Sequence, residues 1–585
     1  MAKEIRRRNR SREGLPEGLP EGLSQGNSEV LSGVFGVSPL LSRIFSARGI
    51  KSPAELDLGL KHLLPPGKLK NIELAADLVV KALVAQKRIL IVGDFDADGA
   101  TSCALMVHGL RSFGAQFADY LVPSRFDFGY GLTPEIVALA HEQKNPDLIV
   151  TVDNGISSVE GVLKATELGI ETLITDHHLA PETLPQASAI VNPNQPGCEF
   201  PSKVLAGVGV AFYLLTVVRQ HLDQQGWFEQ RVKPTLVDYL DLVALGTIAD
   251  VVPLDYNNRI LVNEGLRRIR VGKSRPGLLA MLRFSRTRIE LVTSQDLAFF
   301  VGPRLNAAGR LDDMSLGIEC LLCDDDFQAD ELAAGLDALN TERREIEHEM
   351  KQQALETLRA LPSADLDQSI GIGLFDESWH QGVVGIVASR IKDRFHRPVV
   401  AFARVSEKEL KGSGRSIPGF HMRDAFAAID AQNPGLIKKF GGHAMAAGLS
   451  LHPDDLKQFN SAFNYEADRL LKADDLAPAV FTDGELVDAH SIPLAREIAM
   501  AAPWGQGFQE PVFDDEFEVI EQRIVGGRHL KLKVRPVHSD ALIDAIAFGE
   551  DSTVEGRFRR MAYRLDVNEY RGLESVQLII ESLGN

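Results

Sequence analysis

The stretch VGDFDADGA places Asp94, Asp96 and Asp98 within five positions, directly behind the apolar run Ile89 to Val92. Carboxylates this close repel one another, and a packed core does not accept them without a counter-charge. Further acids recur downstream: Asp153 in TVDNG, Asp176 beside His177 and His178 in TDHH, and Asp250 in GTIADVVPL. Carboxylate and imidazole without thiolate suit Mn²⁺ or Mg²⁺ and fit structural zinc poorly. Two such ions roughly 3.5–4 Å apart make a clamp for phosphoryl transfer. Taken singly, an Asp after a strand is usually a helix cap or turn residue, and a His pair is more often surface or hydrogen-bonded core. Acid at the end of each of four successive apolar segments is a different pattern, and it marks a site.

Those groups need elements to carry them. RILIVGD, DLIVTVDNG, ETLITDHH and LVALGTIAD each read as a β-branched strand ending in a carboxylate, with helical patterns such as SSVEGVLKATELG between them. That alternation predicts a parallel sheet with covering helices. Ligands of such sheets bind beyond the C-terminal ends of the strands. Residues 327–361 combine strong helix formers, dense charge and sparse apolar positions, which predicts a long exposed helix joining two lobes. A second α/β unit follows, with IGIGLF and RPVVAFARV as strands and GGHAMAAGLSL near its end.

From about residue 470 the pattern turns strand-rich. In HLKLKVRP, Leu530, Leu532 and Val534 face one way and Lys531, Lys533 and Arg535 the other. This predicts a half-buried strand of a small OB-like barrel, whose basic outer face is either an ordinary solvated face or a platform for a single strand. Residues 1–28 read as a flexible basic tail and 29–69 as a short helical segment. AGVGVAF, residues 206 to 212, lacks the third glycine and the preceding strand of a dinucleotide fingerprint.

At 585 residues the chain has room for several domains, and 44% apolar with 25% charged residues is ordinary for a globular protein. It has no run of eighteen apolar residues and no apolar signal-peptide core. Its four cysteines form no zinc or disulfide pattern, so a reduced, cytoplasmic chain is expected. The net charge of −18 argues against indiscriminate nucleic-acid binding and leaves open a local basic groove.

In order, VGDFDADGA, TVDNG, TDHH and GTIADVVPL resemble the four motifs of the DHH phosphoesterases. GPRLNAAGRL (302–311), GGHAMAAG (441–448) and PWGQGFQEPVF (503–513) resemble the later motifs of that family's single-strand-specific exonucleases, so the resemblance covers about 70–585. It implies a parallel-sheet DHH domain at 70–326, the connecting helix at 327–361, a DHH-associated domain at 362–468 and a nucleic-acid-binding barrel at 469–585. The implied activity is 5′→3′ hydrolysis of single-stranded DNA to 5′-mononucleotides in recombination and repair, with two ions, Mn²⁺ or Mg²⁺. By the same resemblance Asp96 and Asp98 serve different ions, Asp153 bridges them, His177 and Asp250 complete the set, and Asp94 is a further ligand. Asp176 orients from behind, and His178 meets the phosphate or the attacking water; Asp153, His177 and His178 carry the catalysis. Arg310, Ser413 and Arg415 are implied as the holders of the 5′ end, with Arg125, Arg304 and His443 near the phosphates and Lys531, Lys533 and Arg535 along the barrel. Such proteins work with RecQ helicase and single-strand-binding protein, and a monomer is expected. A phosphodiesterase or phosphatase acting on short oligonucleotides or other small phosphate esters is the alternative, and a non-catalytic binding module is disfavoured by the intact acids.

Overall fold

The computed structural model describes residues 3–8, 37–123, 128, 131–285, 287–360, 369–486 and 490–584. They form two compact units. One comprises Gly14–Asn340 with Arg496–Glu510; the other comprises Met1–Glu13, Thr341–Ala495 and Pro511–Asn585.

The first unit is built on a five-stranded parallel sheet of β2 (Ile89–Gly93), β3 (Ala118–Leu121), β4 (Leu148–Val152), β5 (Glu171–Thr175) and β6 (Ala189–Val191), in the order β3-β2-β4-β5-β6. ILIVG and LIVTV are buried at every position. Continuous β-branched burial of this kind belongs to strands covered on both faces. The strand order reverses between β2 and β4, which opens a crevice at their C-terminal ends. Helices α3 (Ala97–Ser112), α5 (Val159–Glu167), α6 (Gly207–Gln224), α7 (Leu240–Ala249) and α8 (Tyr256–Arg270) belong to this unit. Residues 496–510 complete its core: Trp504 and Phe508 stack with Phe45, and the Leu254 N–H donates to the Gln506 carbonyl at 2.7 Å.

LVALGTIAD is the first correction. It is not a strand but helix α7, with Asp250 at its C-cap. Leu240 to Ile248 are all buried, so the helix has no polar face and no 3.6-residue period to betray it. The long helix, α12 (Asp326–Ala360), begins one residue before the expected span and follows it through residue 360; residue 361 lies outside the described residues. It is not exposed throughout: Ala329, Ala333, Leu336, Met350, Ala354, Leu355 and Leu358 are buried.

The second unit contains a mixed sheet in the order β10-β11-β9-β8-β7, where β7 is Ile372–Phe375, β8 Val399–Ser406, β9 Glu409–Arg415, β10 Lys439–Gly442 and β11 Ala446–Leu451. It also contains a closed five-stranded barrel of β13 (Phe513–Val525), β14 (His529–Pro536), β15 (Ile543–Phe548), β16 (Phe558–Tyr570) and β17 (Leu573–Leu583). The expected alternation of β14 holds: Leu530, Leu532 and Val534 point into the barrel.

The tail expectation is corrected at its start. Residues 4–7 form strand β1 (Glu4–Arg7), parallel to β12 (Ala479–Thr482). The buried Asp514 carboxylate anchors it, accepting from Arg7 Nη2 (3.0 Å), Arg560 Nε (2.9 Å) and Thr482 Oγ1 (2.5 Å). Asp514→Ala leaves two half-exposed guanidiniums without their shared acceptor and should cost about 2 kcal/mol. Hydrogen exchange checks this: amides of β1 and β12 should lose protection while those of β2 and β4 keep theirs.

Candidate metal centre

The acids of three of the four motifs sit as expected. Asp94, Asp96 and Asp98 follow β2, Asp153 follows β4, and Asp176 follows β5, all at the crevice where the strand order reverses. Asp250 reaches the same place from the end of α7. Donor atoms of Asp94, Asp96 and Asp153 lie within 4.8 Å of one another, as do those of Asp98, His177 and Asp250, and those of Asp153, His177 and His178. His177 Nε2 stands 3.1 Å from Asp153 Oδ1 and 3.5 Å from Asp250 Oδ2.

Backbone amides hold these carboxylates against their mutual repulsion. Asp96 caps α3, its Oδ1 accepting from the Asp98 and Gly99 N–H groups at 3.0 Å each. Asp98 reaches across to the N-terminus of α6, where the Gly207 and Val208 N–H groups donate at 2.6 and 2.9 Å. A Cβ on Gly207 would lie 2.6 Å from Asp153 Cβ, so only glycine lets that helix start so close to the site. The segment AGVGVAF, a poor dinucleotide fingerprint, is thus the amide cradle of Asp98. Asp153 itself adopts a left-handed backbone, φ 61°, and Val251, just after Asp250, has φ 60°. Aspartate tolerates this conformation better than most residues, whereas a β-branched valine adopts it only under strain.

Asp176 does not reach for a ligand. Oδ1 accepts from the His177 and His178 amides (2.7 and 3.1 Å) and from His178 Nδ1 (2.7 Å), while Oδ2 accepts from the Ile156 N–H (2.9 Å). It therefore orients the pair from behind, and the ligand-facing chemistry of His178 falls to Nε2. Two asparagines that look like turn residues complete the support: Asn194 Nδ2 donates to the His177 carbonyl at 2.6 Å and Asn192 Nδ2 to the His178 carbonyl at 3.0 Å. Asn154 ties the ends of β2 and β4 together by donating to the Val92 and Val152 carbonyls (3.1 and 2.9 Å).

The electrostatics ask for a cation. Burial, then the fields of Asp98 and Asp96, push the Asp153 carboxyl well above the usual range. Burial and the same two neighbours do so for Asp250. Burial and Asp96 raise Asp98 to about 7, against the pull of the Val208 and Gly207 amides. Burial works against a charged His178, yet the Asp176 hydrogen bond together with the fields of Asp176, Asp94 and Asp250 raises the imidazole to about 9. Asp250 Oδ2 is buried with no hydrogen bond among the described residues. An oxygen- and nitrogen-rich crevice with raised carboxyl groups and an unsatisfied carboxylate oxygen fits Mn²⁺ or Mg²⁺.

The expected substrate contacts divide. Arg310 lies half-buried in the last turn of α10 (Gly302–Leu311), in the same unit as the acids. Arg304, six residues earlier, is committed to Asp337 of α12, with Nε and Nη2 at 2.8 and 2.6 Å from Oδ1. Arg125 lies outside the described residues. Ser413, Arg415 and His443 belong to the other unit. There Arg415 Nη1 donates to Ser413 Oγ (3.0 Å), and the register sets Arg415 opposite Ala446 and Ser413 opposite Gly448 in the GGHAMAAG strand. His443 is exposed at the β10–β11 turn. On the barrel, Lys531 pairs with Asp544 (3.5 Å) and Arg535 with Glu518 (3.4 Å), while Lys533 stands opposite both Glu521 and Asp544. The outer face of β14 is therefore a mosaic of charges.

The comparisons with known proteins fall on the same regions. Residues 88–247 match the DHH family N-terminal domain, 367–468 the DHHA1 domain and 482–582 the RecJ OB domain. The chain is 52% identical over 551 residues to the single-stranded-DNA-specific exonuclease RecJ of Dickeya dadantii, covering 93% of this chain and 96% of that one. It is 51% identical to that of Escherichia coli, with the same coverage, and 35% identical to that of Bacillus subtilis, covering 68% of the relative. Among solved structures, RecJ of Thermus thermophilus in complex with Mn²⁺ superimposes with a TM-score of 0.79 at 31% identity, over 96% of this chain and 78% of that one. The Mg²⁺ complex of the same protein gives 0.74 at 30%.

Two outcomes follow from the raised carboxyl groups. A cation binds their deprotonated forms, so Mn²⁺ binding should release protons and tighten as pH rises between about 6 and 8, read by calorimetry in buffers of different ionisation enthalpy. In chelator the sign for stability is opposite. The folded carboxyls hold protons that the unfolded chain has already lost, so stability should fall as pH rises from the ordinary carboxylate range through about 7. Asp153→Asn removes one repelling charge and suits the left-handed backbone. It should raise the melting temperature in chelator, while abolishing both the further rise on adding Mn²⁺ and any cleavage.

Proposed function

The chain belongs to the RecJ family of DHH proteins, and from that membership we propose that it is a metal-dependent 5′→3′ exonuclease degrading single-stranded DNA to 5′-mononucleotides. The observation that carries the chemistry is the convergence of Asp94, Asp96, Asp98, Asp153, His177 and Asp250 in one crevice. These residues would hold two divalent ions, which when bound supply Lewis acidity at the phosphodiester and a hydroxide nucleophile at neutral pH.

The remaining work falls to the chain's own groups. Asp176 fixes the His178 ring through Nδ1, so a protonated Nε2 can donate to a phosphate oxygen as charge builds there. The Gly207 and Val208 amides keep Asp98 from turning away. Arg310, Ser413, Arg415 and His443 are the groups we assign to the 5′ end and the adjacent phosphates; a guanidinium beside a hydroxyl is suited to a terminal phosphate. The likeness of residues 482–582 to the RecJ OB domain supports a polymeric substrate over a small phosphate ester. Exposed aromatic rings on the barrel, Phe548, Phe558 and Tyr570, offer stacking surfaces for unpaired bases. Action in recombination and repair, with a helicase and a single-strand-binding protein as partners, is part of the same proposal. A cytoplasmic monomer agrees with it; no helix among the described residues is long and apolar enough to cross a membrane.

Digestion of labelled single- and double-stranded DNA with either end blocked, in Mn²⁺ and in Mg²⁺, tests polarity and substrate together. Blocking the 5′ end should stop mononucleotide release from single strands, and blocking the 3′ end should not. Arg415→Ala should erase the advantage of a 5′ phosphate, about tenfold or more in kcat/KM, while leaving cleavage of a 5′-hydroxyl strand near wild type.

A further inference from the structure

We infer that Arg304 is a positioning residue for the metal centre: paired with Asp337, it anchors α10 to the connecting helix α12, and α10 in turn holds the Asp94–Asp98 turn in place. This rests on the metal-dependent nuclease reading and replaces the phosphate-contacting role expected for Arg304.

Four observations carry it, all within the first unit. First, the guanidinium is fully employed. Its relative exposure is 9%, Nε and Nη2 engage Asp337 Oδ1 at 2.8 and 2.6 Å, and Nη1 donates to the Phe300 carbonyl at 2.6 Å. A guanidinium so placed has turned its fork toward protein, not toward a phosphate.

Second, the helix it fixes touches the metal turn directly. Two residues further along α10, Asn306 Oδ1 accepts the Ala97 N–H at 2.9 Å. Ala97 lies between Asp96 and Asp98, so this bond sets the backbone from which both carboxylates project.

Third, the fit leaves no slack. A Cβ on Gly309 would stand 1.8 Å from the Phe95 carbonyl oxygen, so α10 lies on the turn with glycine as the only residue that fits. Phe95 is the residue between Asp94 and Asp96. Fourth, a π-helical turn, Leu297–Val301, leads into α10 and contributes the carbonyl that Arg304 caps. Such turns shift the phase of the helix that follows, and an ion pair at that point holds the shifted phase.

The physical chain is continuous: α12, Asp337, Arg304, α10, Asn306 and Gly309, then the backbone of the acidic turn. A carboxylate displaced by a few tenths of an ångström loses metal affinity and rate, and supporting residues of this kind typically carry about 10–100-fold.

The test compares Arg304→Ala, Asp337→Ala and the exchanged pair Arg304→Asp with Asp337→Arg in the full chain. Three readouts are needed: Mn²⁺ affinity by electron paramagnetic resonance without DNA, kcat and KM on oligo(dT), and oligo(dT) affinity in chelator. Each single variant should weaken Mn²⁺ binding and lower kcat by about tenfold or more, with KM and chelator-state DNA affinity within about twofold; the exchanged pair should recover most of both losses. If Arg304→Ala instead raises KM and weakens DNA binding while Asp337→Ala changes neither, Arg304 is a phosphate contact and the inference falls. It falls equally if both singles lower only the melting temperature and leave Mn²⁺ affinity intact, since that is simple packing. Should a truncation unfold at the assay temperature, Asp337→Asn, which keeps an acceptor but not the charge, decides by the same criteria. Because Mn²⁺ affinity is read without substrate, failure of this inference is distinct from a wild-type chain that does not cut single strands.

Discussion

The molecule is organised around a concentration of negative charge that cannot exist alone. Asp94, Asp98 and Asp153 are buried, Asp250 is largely so, and their neighbouring carboxylates raise the proton affinity of Asp98, Asp153 and Asp250. Without cations the crevice satisfies itself only by keeping protons; with them it becomes a tight binding site. Almost every local oddity nearby answers to that constraint. Helix N-termini point their amides at Asp96 and Asp98, glycines remove side chains where backbone must pass, and two non-glycine residues accept left-handed backbone to bring Asp153 and Asp250 inward.

The sheet supplies the geometry because parallel strands deliver their C-terminal ends to one edge, and the reversal of strand order parts the loops after β2 and β4. Into that gap come Asp250 from α7 and the Gly207 amide from α6. Acids dispersed over some 150 residues of sequence, from Asp94 to Asp250, thus become neighbours through a repeated strand-and-helix unit.

Much of this was legible in the amino-acid sequence, for definite reasons. ILIVG, LIVTV and ETLIT are continuous apolar runs each followed by acid, and a fully covered parallel strand leaves no other trace. The β14 alternation was equally direct. What the sequence hides has one cause: it concerns what a residue meets, not what it is. LVALGTIA is buried on all sides, so helix and strand look alike. EIRR shows its strand character only beside residues 479–482, far away along the chain. Lys531, Lys533 and Arg535 look like a bare basic row until Glu518, Glu521 and Asp544 arrive from neighbouring strands. Nothing in the sequence announces the ion pair of Arg304 with Asp337. Asn192, Asn194 and Asn306, which position the histidines and the acidic turn, carry no sequence signal that separates them from ordinary turn and helix residues.

The contribution of residues 496–510 to the first unit has a bearing on biosynthesis. The core around Phe45 lacks Trp504 and Phe508 until a stretch of 155 residues, 341–495, has been translated past the last residue of the N-terminal portion. At roughly 5–20 residues per second of synthesis that is a delay of roughly 10–30 s. During it the nascent polypeptide displays an unfinished apolar surface to the ribosome exit region and to chaperones. The packing around Phe45 is thereby completed late, once most of the chain has been synthesised.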